Sequence, residues 1–322
     1  MPVSRVHLGI PSFLRVVPFT RPMVKTLYMT VAPDLLPYVS KEFSTSGQML
    51  RYLDEGTGPE TLLCVHGNPT WSFYYRKIVE QFSPRYRVIA VDHVGCGRSD
   101  KPPQNEFPYT LASHRNNLVA LIDSLNLDDI TLIAHDWGGA IGLSAMLERR
   151  EILKRIVLLN TGAFPPPYLP KRIAACRIPL LGSLGVRGFN AFARAAITMA
   201  MSRNALTADV ARGLLAPYDS WQNRVAIDAF VRDIPMSASH PTHEPLAQLE
   251  QQLPTLATLP SLLVWGMKDW CFRPECLRRF QAAWPDAVSV EIPDAGHYVI
   301  EDAPEETLQA ISTFLNQPQS TC

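Results

Sequence analysis

Short apolar runs alternate with amphipathic stretches along most of this chain, and this alternation constrains the fold more than any other feature. Each run is rich in Val, Ile and Leu and ends at a polar residue or glycine, as buried parallel strands do. The runs cover residues 61–65, 87–91, 130–134, 155–159, 261–265 and 288–292, after an earlier strand over 48–53. Helical spacing occurs over 71–82, 111–125, 139–149, 275–284 and 304–315. We predict an α/β fold with a doubly wound, mostly parallel sheet.

The alternation stops between residues 163 and 254. Helical spacing over 189–201, 209–215 and 221–231 is interrupted there by prolines, and no strand-like run occurs. Helices inserted between two strands of one sheet are expected over the carboxyl ends of the strands, where open α/β sheets bind ligands. We predict an N-terminal extension over residues 1–40 and a core formed by residues 41–162 and 255–322. The inserted helical cap is predicted over residues 163–254.

The composition excludes several classes of protein. Of the 322 residues, 47% are apolar, which is too many for a disordered chain. Thirty basic residues balance thirty acidic ones, so the net charge favours neither nucleic acid nor an acidic membrane. Because no run of 18 apolar residues occurs, and prolines and arginines interrupt the N-terminal apolar stretches, we expect neither a transmembrane helix nor a signal peptide. Six scattered cysteines without a CxxC pair favour reduced thiols and a cytoplasmic location.

Asp136 is the first candidate catalytic residue. It follows the apolar run 130–134 and precedes Trp137, Gly138 and Gly139 at the start of a predicted helix. A tight turn between a strand and a helix exposes its middle side chain among free backbone N–H groups. An aspartate with a pKa of about 3.9 is ionised at neutral pH. Asp136 is therefore predicted to attack carbon directly and form an ester, although an aspartate at this position can also be an ordinary helix N-cap.

The loop that follows the run 61–65 is the second element of the predicted site. Its sequence HGNPTW (66–71) contains Asn68, whose backbone N–H can pair with that of Trp137 as an oxyanion hole. Alone, the segment would read as a Gly-Asn-Pro turn. Its place beside the Asp136 turn is what favours a catalytic role.

A histidine and an acid complete the predicted site. His297 follows the last predicted strand, and nucleophile, acid and histidine in this chain order form a known arrangement. Asp269 follows the run 261–265 and is our choice of acid. The other position available for an acid, after the run 155–159, holds Asn160, whose amide cannot supply the negative charge that stabilises an imidazolium.

Other motifs give weaker signals. The glycine-rich stretch 92–99 does not fit GxGxxG and is interpreted as a tight structural loop, not a dinucleotide site. His240, His243 and Glu244 lie in a proline-rich loop without a complementary second cluster, so we expect no metal there.

The motifs HGNP (66–69) and HDWGG (135–139) resemble those of haloalkane dehalogenases in the α/β-hydrolase superfamily, and the similarity extends over most of residues 45–316. The stretches 159–165 and 217–224, with 269–272 and 294–298, resemble the third haloalkane dehalogenase subfamily. They are equally similar to the β-lactone decarboxylases of bacterial long-chain olefin biosynthesis. Asn160 stands where the second subfamily has its acid, which argues against that subfamily.

The resemblance implies an α/β-hydrolase fold and a two-step reaction. Asp136 would be the nucleophile, His297 the base and Asp269 its orienting acid, while Asn68 and Trp137 would stabilise a leaving halide. Displacement would form an alkyl ester on the nucleophile, and water activated by the histidine would then hydrolyse it. Halide leaves without a proton and needs only donors aimed at its charge.

Several functions remain open on this basis. We expect a haloalkane dehalogenase-type hydrolase first and a cis-β-lactone decarboxylase of olefin biosynthesis as the alternative. Epoxide hydrolysis would use Tyr168 and Tyr218 as proton donors, but a halide-type Asn68 argues against it. A non-catalytic binding protein would not need the complete triad. We expect no cofactor, no metal, no nucleic acid and no stable membrane insertion. The expected partners are an apolar small molecule and water, with a homo-oligomer or a complex with olefin-biosynthesis enzymes left open.

Overall fold

The computed structural model describes Met1 and residues 35–317, so most of the predicted extension over residues 1–40 lies outside the described residues. An eight-stranded sheet has the order β1-β2-β4-β3-β5-β6-β7-β8. The strands are β1 (Lys41–Thr45), β2 (Gln48–Glu55), β3 (Thr61–Val65), β4 (Arg87–Asp92), β5 (Ile130–Asp136), β6 (Leu153–Thr161), β7 (Ser261–Gly266) and β8 (Val288–Ile292).

Only the first two strands run antiparallel to their neighbours. Strand β1 pairs with β2, and β2 with β4, in antiparallel register, whereas the five pairs from β4 across to β8 are parallel. Every residue of β3, β5 and β7 is buried. Apolar clusters cover both faces of the sheet, which explains why these strands read as continuous apolar runs. The predicted doubly wound, mostly parallel sheet is confirmed, while β1 carried no sequence signal that we recognised.

Each helix predicted from the sequence overlaps a helix of the structure, and the structure contains further helices that were not predicted. They are α1 (Arg76–Phe82), α2 (Leu111–Ser124), α3 (Trp137–Glu148), α4 (Lys171–Cys176), α5 (Leu181–Ser183), α6 (Ala191–Met199), α7 (Ala208–Leu215), α8 (Val225–Asp233), α9 (His243–Gln252), α10 (Pro274–Ala283), α11 (Val299–Asp302) and α12 (Pro304–Leu315). Six of them, α4–α9, lie between β6 and β7 in the chain, and a π-helical turn, Leu184–Gly188, joins α5 to α6. Helices α4, α5, α9 and α11 were not predicted.

None of the described helices combines the length and the apolar character needed to cross a bilayer. The five cysteines among the described residues are free thiols. The parallel strands β3–β8 all have their carboxyl ends at one edge of the sheet, and the chain leaves the core at the end of β6 to form α4–α9. The chemistry-bearing loops are therefore gathered between the sheet and these helices.

Candidate active site

Asp136 ends β5 and immediately precedes α3 in a sharp turn. Its backbone has φ of 54° and ψ of −131°, a conformation that side-chain-bearing residues rarely adopt. The turn depends on close backbone approach. A Cβ at Gly138 would lie 1.9 Å from the Val65 carbonyl oxygen, and one at Gly67 would lie 2.0 Å from Asp136 Oδ1. These glycines therefore allow the strained turn and hold the Asp136 carboxylate against the neighbouring loop.

The Asp136 carboxylate is buried but hydrogen-bonded. The backbone N–H of Asn68 donates to Oδ1 at 2.6 Å, and the carboxyl also interacts with the backbone N–H of Trp137. Burial alone would raise the pKa of Asp136, but the hydrogen bond and charge of His297 outweigh this effect and lower it. The carboxylate is thus kept ionised, and both N–H groups predicted for an oxyanion hole already face it.

His297 lies in the loop between β8 and α11. Its Nε2 is 3.6 Å from Asp136 Oδ2, and its Nδ1 is 2.8 Å from Asp269 Oδ2. Burial alone would lower the pKa of His297, but the charges and hydrogen bonds of Asp269 and Asp136 raise it to about 10. The carboxylates on both sides therefore favour the protonated, imidazolium form of His297 in the free protein.

Asp269 is held by two donors besides His297. The backbone N–H of Cys271 donates to its Oδ1 at 2.6 Å, and Asn160 Nδ2 donates to its Oδ2 at 3.0 Å. Sequence reasoning treated Asn160 only as a position without charge and missed this support. The structure brings Asp136, His297 and Asp269 together in the predicted arrangement, and their catalytic roles stay predictions.

His135 is a further buried residue that the sequence analysis did not single out. Its Nε2 lies 2.9 Å from the carbonyl oxygen of His297, so this nitrogen carries the proton and donates to the carbonyl. Burial lowers the pKa of His135 to about 3, which keeps it neutral. His135 therefore fixes the loop that carries His297. Its position directly before Asp136 was the only sequence signal for this role.

The side chains of Asn68 and Trp137 both line the cavity beside Asp136. Asn68 Nδ2 donates to the carbonyl oxygen of Ile227 at 3.2 Å, which leaves the second N–H of the amide for another acceptor. The half-buried Trp137 indole packs against Phe230, with ring centroids 5.7 Å apart. The predicted pair thus lies near Asp136, and one N–H of the Asn68 amide is already bonded to the protein.

The cavity above Asp136 has a volume of about 420 Å³ and a mostly apolar lining. Phe272 stacks on His297 with ring centroids 5.7 Å apart. The other walls of the cavity come mainly from α4, α6 and the loops around them. They include Phe164, Ile173, Cys176, Phe192, Ala196 and Met199. An uncharged, apolar molecule suits this space better than a charged one, because few polar groups line it.

The two tyrosines considered for epoxide opening are both engaged with backbone carbonyls. The Tyr218 hydroxyl donates to Thr70, and the Tyr168 hydroxyl donates to Cys271 at 2.5 Å. Tyr168 lines the cavity, whereas Tyr218 is not part of its lining. This pair therefore does not place two hydroxyl donors together toward a substrate oxygen.

Residues 60–304 match the protein family described as having the alpha/beta hydrolase fold. The chain belongs to this family. Among curated members, the cis-3-alkyl-4-alkyloxetan-2-one decarboxylase of Shewanella oneidensis is 39% identical over 290 residues, covering 89% of this chain and 91% of the relative. The same enzyme of Xanthomonas campestris is 40% identical over 281 residues, or 84% and 93%. Haloalkane dehalogenase 2 of Mycobacterium tuberculosis is 37% identical over 290 residues, or 88% and 96%.

Solved structures of this hydrolase family agree with the fold. The tetrameric haloalkane dehalogenase of Paraglaciecola agarilytica has a TM-score of 0.75 and 27% identity, covering 89% of this chain and 96% of that one. A haloalkane dehalogenase of Agrobacterium tumefaciens has a TM-score of 0.77 at 24% identity, covering 86% and 96%, and supports the fold alone. The hydrolase-fold protein is therefore related to both decarboxylases and dehalogenases.

Proposed function

We propose that this hydrolase-fold protein converts cis-3,4-dialkyl-β-lactones into alkenes and CO2, with Asp136 as the nucleophile. The observation that carries the proposal is the similarity to two decarboxylases, at 39% and 40% identity, each over at least nine-tenths of the relative's length. This reverses the order of the two functions expected from the sequence. The apolar cavity and the buried carboxylate–imidazolium pair support the reaction chemically.

The first step opens the ring. A carboxylate oxygen of Asp136 attacks the lactone C4 from the side opposite the ring oxygen, a C4–O ester bond forms, and the ring C4–O bond breaks. Its electron pair stays on the ring oxygen, so the substrate now carries a carboxylate on C3. The His297 imidazolium, 3.6 Å from Asp136 Oδ2, is positioned to balance this new charge when the nucleophile loses its own.

The second step releases CO2. The C3–carboxylate bond breaks, its electrons form the C3–C4 double bond, and the C4–O ester bond breaks to restore the Asp136 carboxylate. The Asn68 N–H, 2.6 Å from Oδ1, stabilises the charge that returns there. An apolar cavity disfavours a substrate carboxylate, so its conversion to neutral CO2 and alkene is favoured. Backside attack sets the two leaving bonds anti to each other, and the cis-lactone then gives a cis-alkene.

Haloalkane hydrolysis is the second candidate, because a dehalogenase is 37% identical and the Asn68 and Trp137 side chains border the nucleophile. Halide would leave in the first step, and water would then attack the ester carbonyl. Loss of the Asp136 charge on esterification removes one cause of the raised pKa of His297, which favours release of its proton and its action as a base.

The test is a three-substrate comparison with purified protein. It would be offered a cis-3,4-dialkyl-β-lactone, a bromoalkane and an epoxide, while alkene, halide and diol are measured. We expect alkene and CO2 in equal amounts from the lactone, with no activity in Asp136→Asn. Halide without alkene would replace the proposal with dehalogenation. A β-hydroxy acid in place of the alkene would show that water intercepts the ester.

A further inference from the structure

The outer side of the cap helices exposes an unusual concentration of large apolar side chains. Of the ten large apolar residues that are exposed among the described residues, five lie within the twelve-residue segment 178–189, and their exposed fractions range from 48% to 87%. These five and Trp221 are called the cap surface here: Ile178, Leu180, Leu181, Leu184, Phe189 and Trp221. Monomeric proteins seldom expose such a cluster without a binding role.

The local geometry makes the cap surface continuous. Gly188 lies between two of its members, since a Cβ there would be 3.2 Å from Leu184 Cδ1 and 3.9 Å from the Trp221 ring. Leu180 has φ of +61°, which bulky residues seldom adopt, and its side chain is 87% exposed. The chain therefore keeps a leucine outward in a conformation that costs energy, without any packing gain on the described protein.

One sign of charge surrounds these apolar residues. Residues 162–208 contain six basic residues and no acidic ones, although the whole chain is neutral. Arg203 pairs with Asp294 and Glu306, but the other five form no ion pair with any described carboxylate. They are Lys171, Arg172, Arg177, Arg187 and Arg194. Of these, Arg187 lies over the Trp221 ring, 4.6 Å from its centroid.

Three acidic residues lie near this region in space but do not neutralise it. Asp233, near Arg177, is buried and accepts hydrogen bonds from Leu111 N–H and the Thr242 hydroxyl. Asp228 is buried and accepts hydrogen bonds from Ser183 and Arg232. Asp219 is exposed and accepts from the Asn223 amide. The cap surface is thus an apolar patch with a net positive border, which whole-chain neutrality conceals.

The same helices connect the cap surface to the active-site cavity. Ile173 and Cys176 of α4, and Phe192 and Ala196 of α6, line the cavity from inside. Five of the six residues of the cap surface lie on the segment that joins these two helices. Arg172 reaches both the cavity and the outer surface of the cap, because it lines the cavity and is also exposed. A molecule held at the cap surface is therefore one layer of helices away from Asp136.

We propose that the cap surface docks this protein peripherally on an anionic lipid bilayer, next to the entry of an apolar substrate into the cavity. Apolar side chains that enter the headgroup region and cations that meet anionic lipids are the two attractions by which proteins lie on membranes. A symmetric contact between two copies would bring two cationic borders together, which disfavours a homodimer through this face. The docking itself does not depend on which reaction Asp136 performs.

Vesicle binding by the full chain tests the proposal without any turnover. Vesicles of neutral phosphatidylcholine would be compared with vesicles that also contain a quarter phosphatidylglycerol, by co-flotation at low and high salt. We expect binding to the anionic vesicles that weakens in high salt. The triple variant Leu180→Ser, Leu181→Ser, Phe189→Ser and the double variant Lys171→Glu, Arg194→Glu should each bind about tenfold less.

Val288→Ser is the matched control, because Val288 is an exposed apolar residue on the edge strand β8, outside the cap surface. It should bind as the wild type does, and all variants should keep their activity on a short, water-soluble substrate. Absence of wild-type binding, or equal binding by the cap variants, would overturn the proposal. Dissociation of a wild-type oligomer in the triple variant, without vesicle binding, would instead assign the face to contacts between copies.

Discussion

Asn160 Nδ2 lies 3.0 Å from Asp269 Oδ2, and Asn160 Oδ1 accepts the backbone N–H of Gly266 at 2.8 Å. The amide thus links the end of β6 to the loop that carries Asp269, the predicted acid. Because β6 and β7 are parallel neighbours, their carboxyl ends place two potential acid positions side by side. One position carries the charge, and the other carries the donor that orients it.

This arrangement predicts that the two positions can be exchanged. Asn160→Asp should reduce kcat about 10²-fold or more, because a second carboxylate near Asp269 would repel it and replace a donor. The double variant Asn160→Asp with Asp269→Asn should recover part of the activity, since one acid and one amide are again present. Steady-state kinetics of both variants and of Asp269→Asn alone provide the measurement. A double variant no better than Asp269→Asn would contradict the exchange.

Replacement of His297 separates the two candidate reactions. With a bromoalkane, His297→Asn should accumulate an alkyl ester on Asp136, because hydrolysis loses a base whose contribution is about 10²–10⁴-fold. With a lactone, the ester should decarboxylate without a base, so alkene should form slowly and no adduct should build up. Mass spectrometry of the peptide that contains Asp136 distinguishes these outcomes. A stable adduct from the lactone would contradict the proposed second step.

The raised pKa of His297 predicts how stability depends on pH. Its folded-state value of about 10 exceeds the ordinary value of 6.5, so its contribution is fully present below pH 6.5 and is lost as the pH rises through about 10. The Tm should therefore fall between pH 7 and 10. In Asp136→Asn, which removes one of the causes, the fall should be smaller. Calorimetry at several pH values measures the difference, and parallel Tm curves would contradict it.

Arg76 and Glu301 form a buried ion pair that ties α1 to α11, next to the loop of His297. Arg76 Nη2 is 3.0 Å from Glu301 Oε2, and Lys77 Nζ is 2.9 Å from the same oxygen. Arg76→Met should destabilise the protein by about 3 kcal/mol, because it leaves a buried carboxylate with one weaker partner. Adding Glu301→Leu should recover part of this loss. Urea unfolding of the single and double variants tests both statements.

The position of Ala196 in the cavity wall predicts how the cavity limits the chain length of the substrate. This alanine lies on α6 and lines the cavity, so Ala196→Phe should remove space for an alkyl chain. We expect kcat/KM for a long-chain substrate to fall about tenfold or more, with little change for a short-chain one. Thr198→Phe is the control, because Thr198 is exposed on the same helix. Equal losses for both chain lengths would indicate a general disturbance of the helix.

The sequence by itself predicted seven of the eight strands of the sheet and the three candidate catalytic residues that the structure brings together. Continuous apolar runs could be read as buried strands because burial on both faces leaves no polar alternation. Asp136, Asp269 and His297 could be placed because each follows such a run, and parallel strands deliver their carboxyl ends to one edge. Strand β1, half exposed at the sheet edge, lacked that signal.

Only the tertiary structure decided what surrounds these residues. The support of Asp269 by Asn160 and of the His297 loop by His135 joins residues more than a hundred positions apart in the chain, so no local pattern could reveal it. The shape of the cavity depends on how α4 and α6 pack, which local propensity does not determine. The exposure of the cap surface likewise follows from that packing, because an apolar residue on a short helix can face either inward or outward.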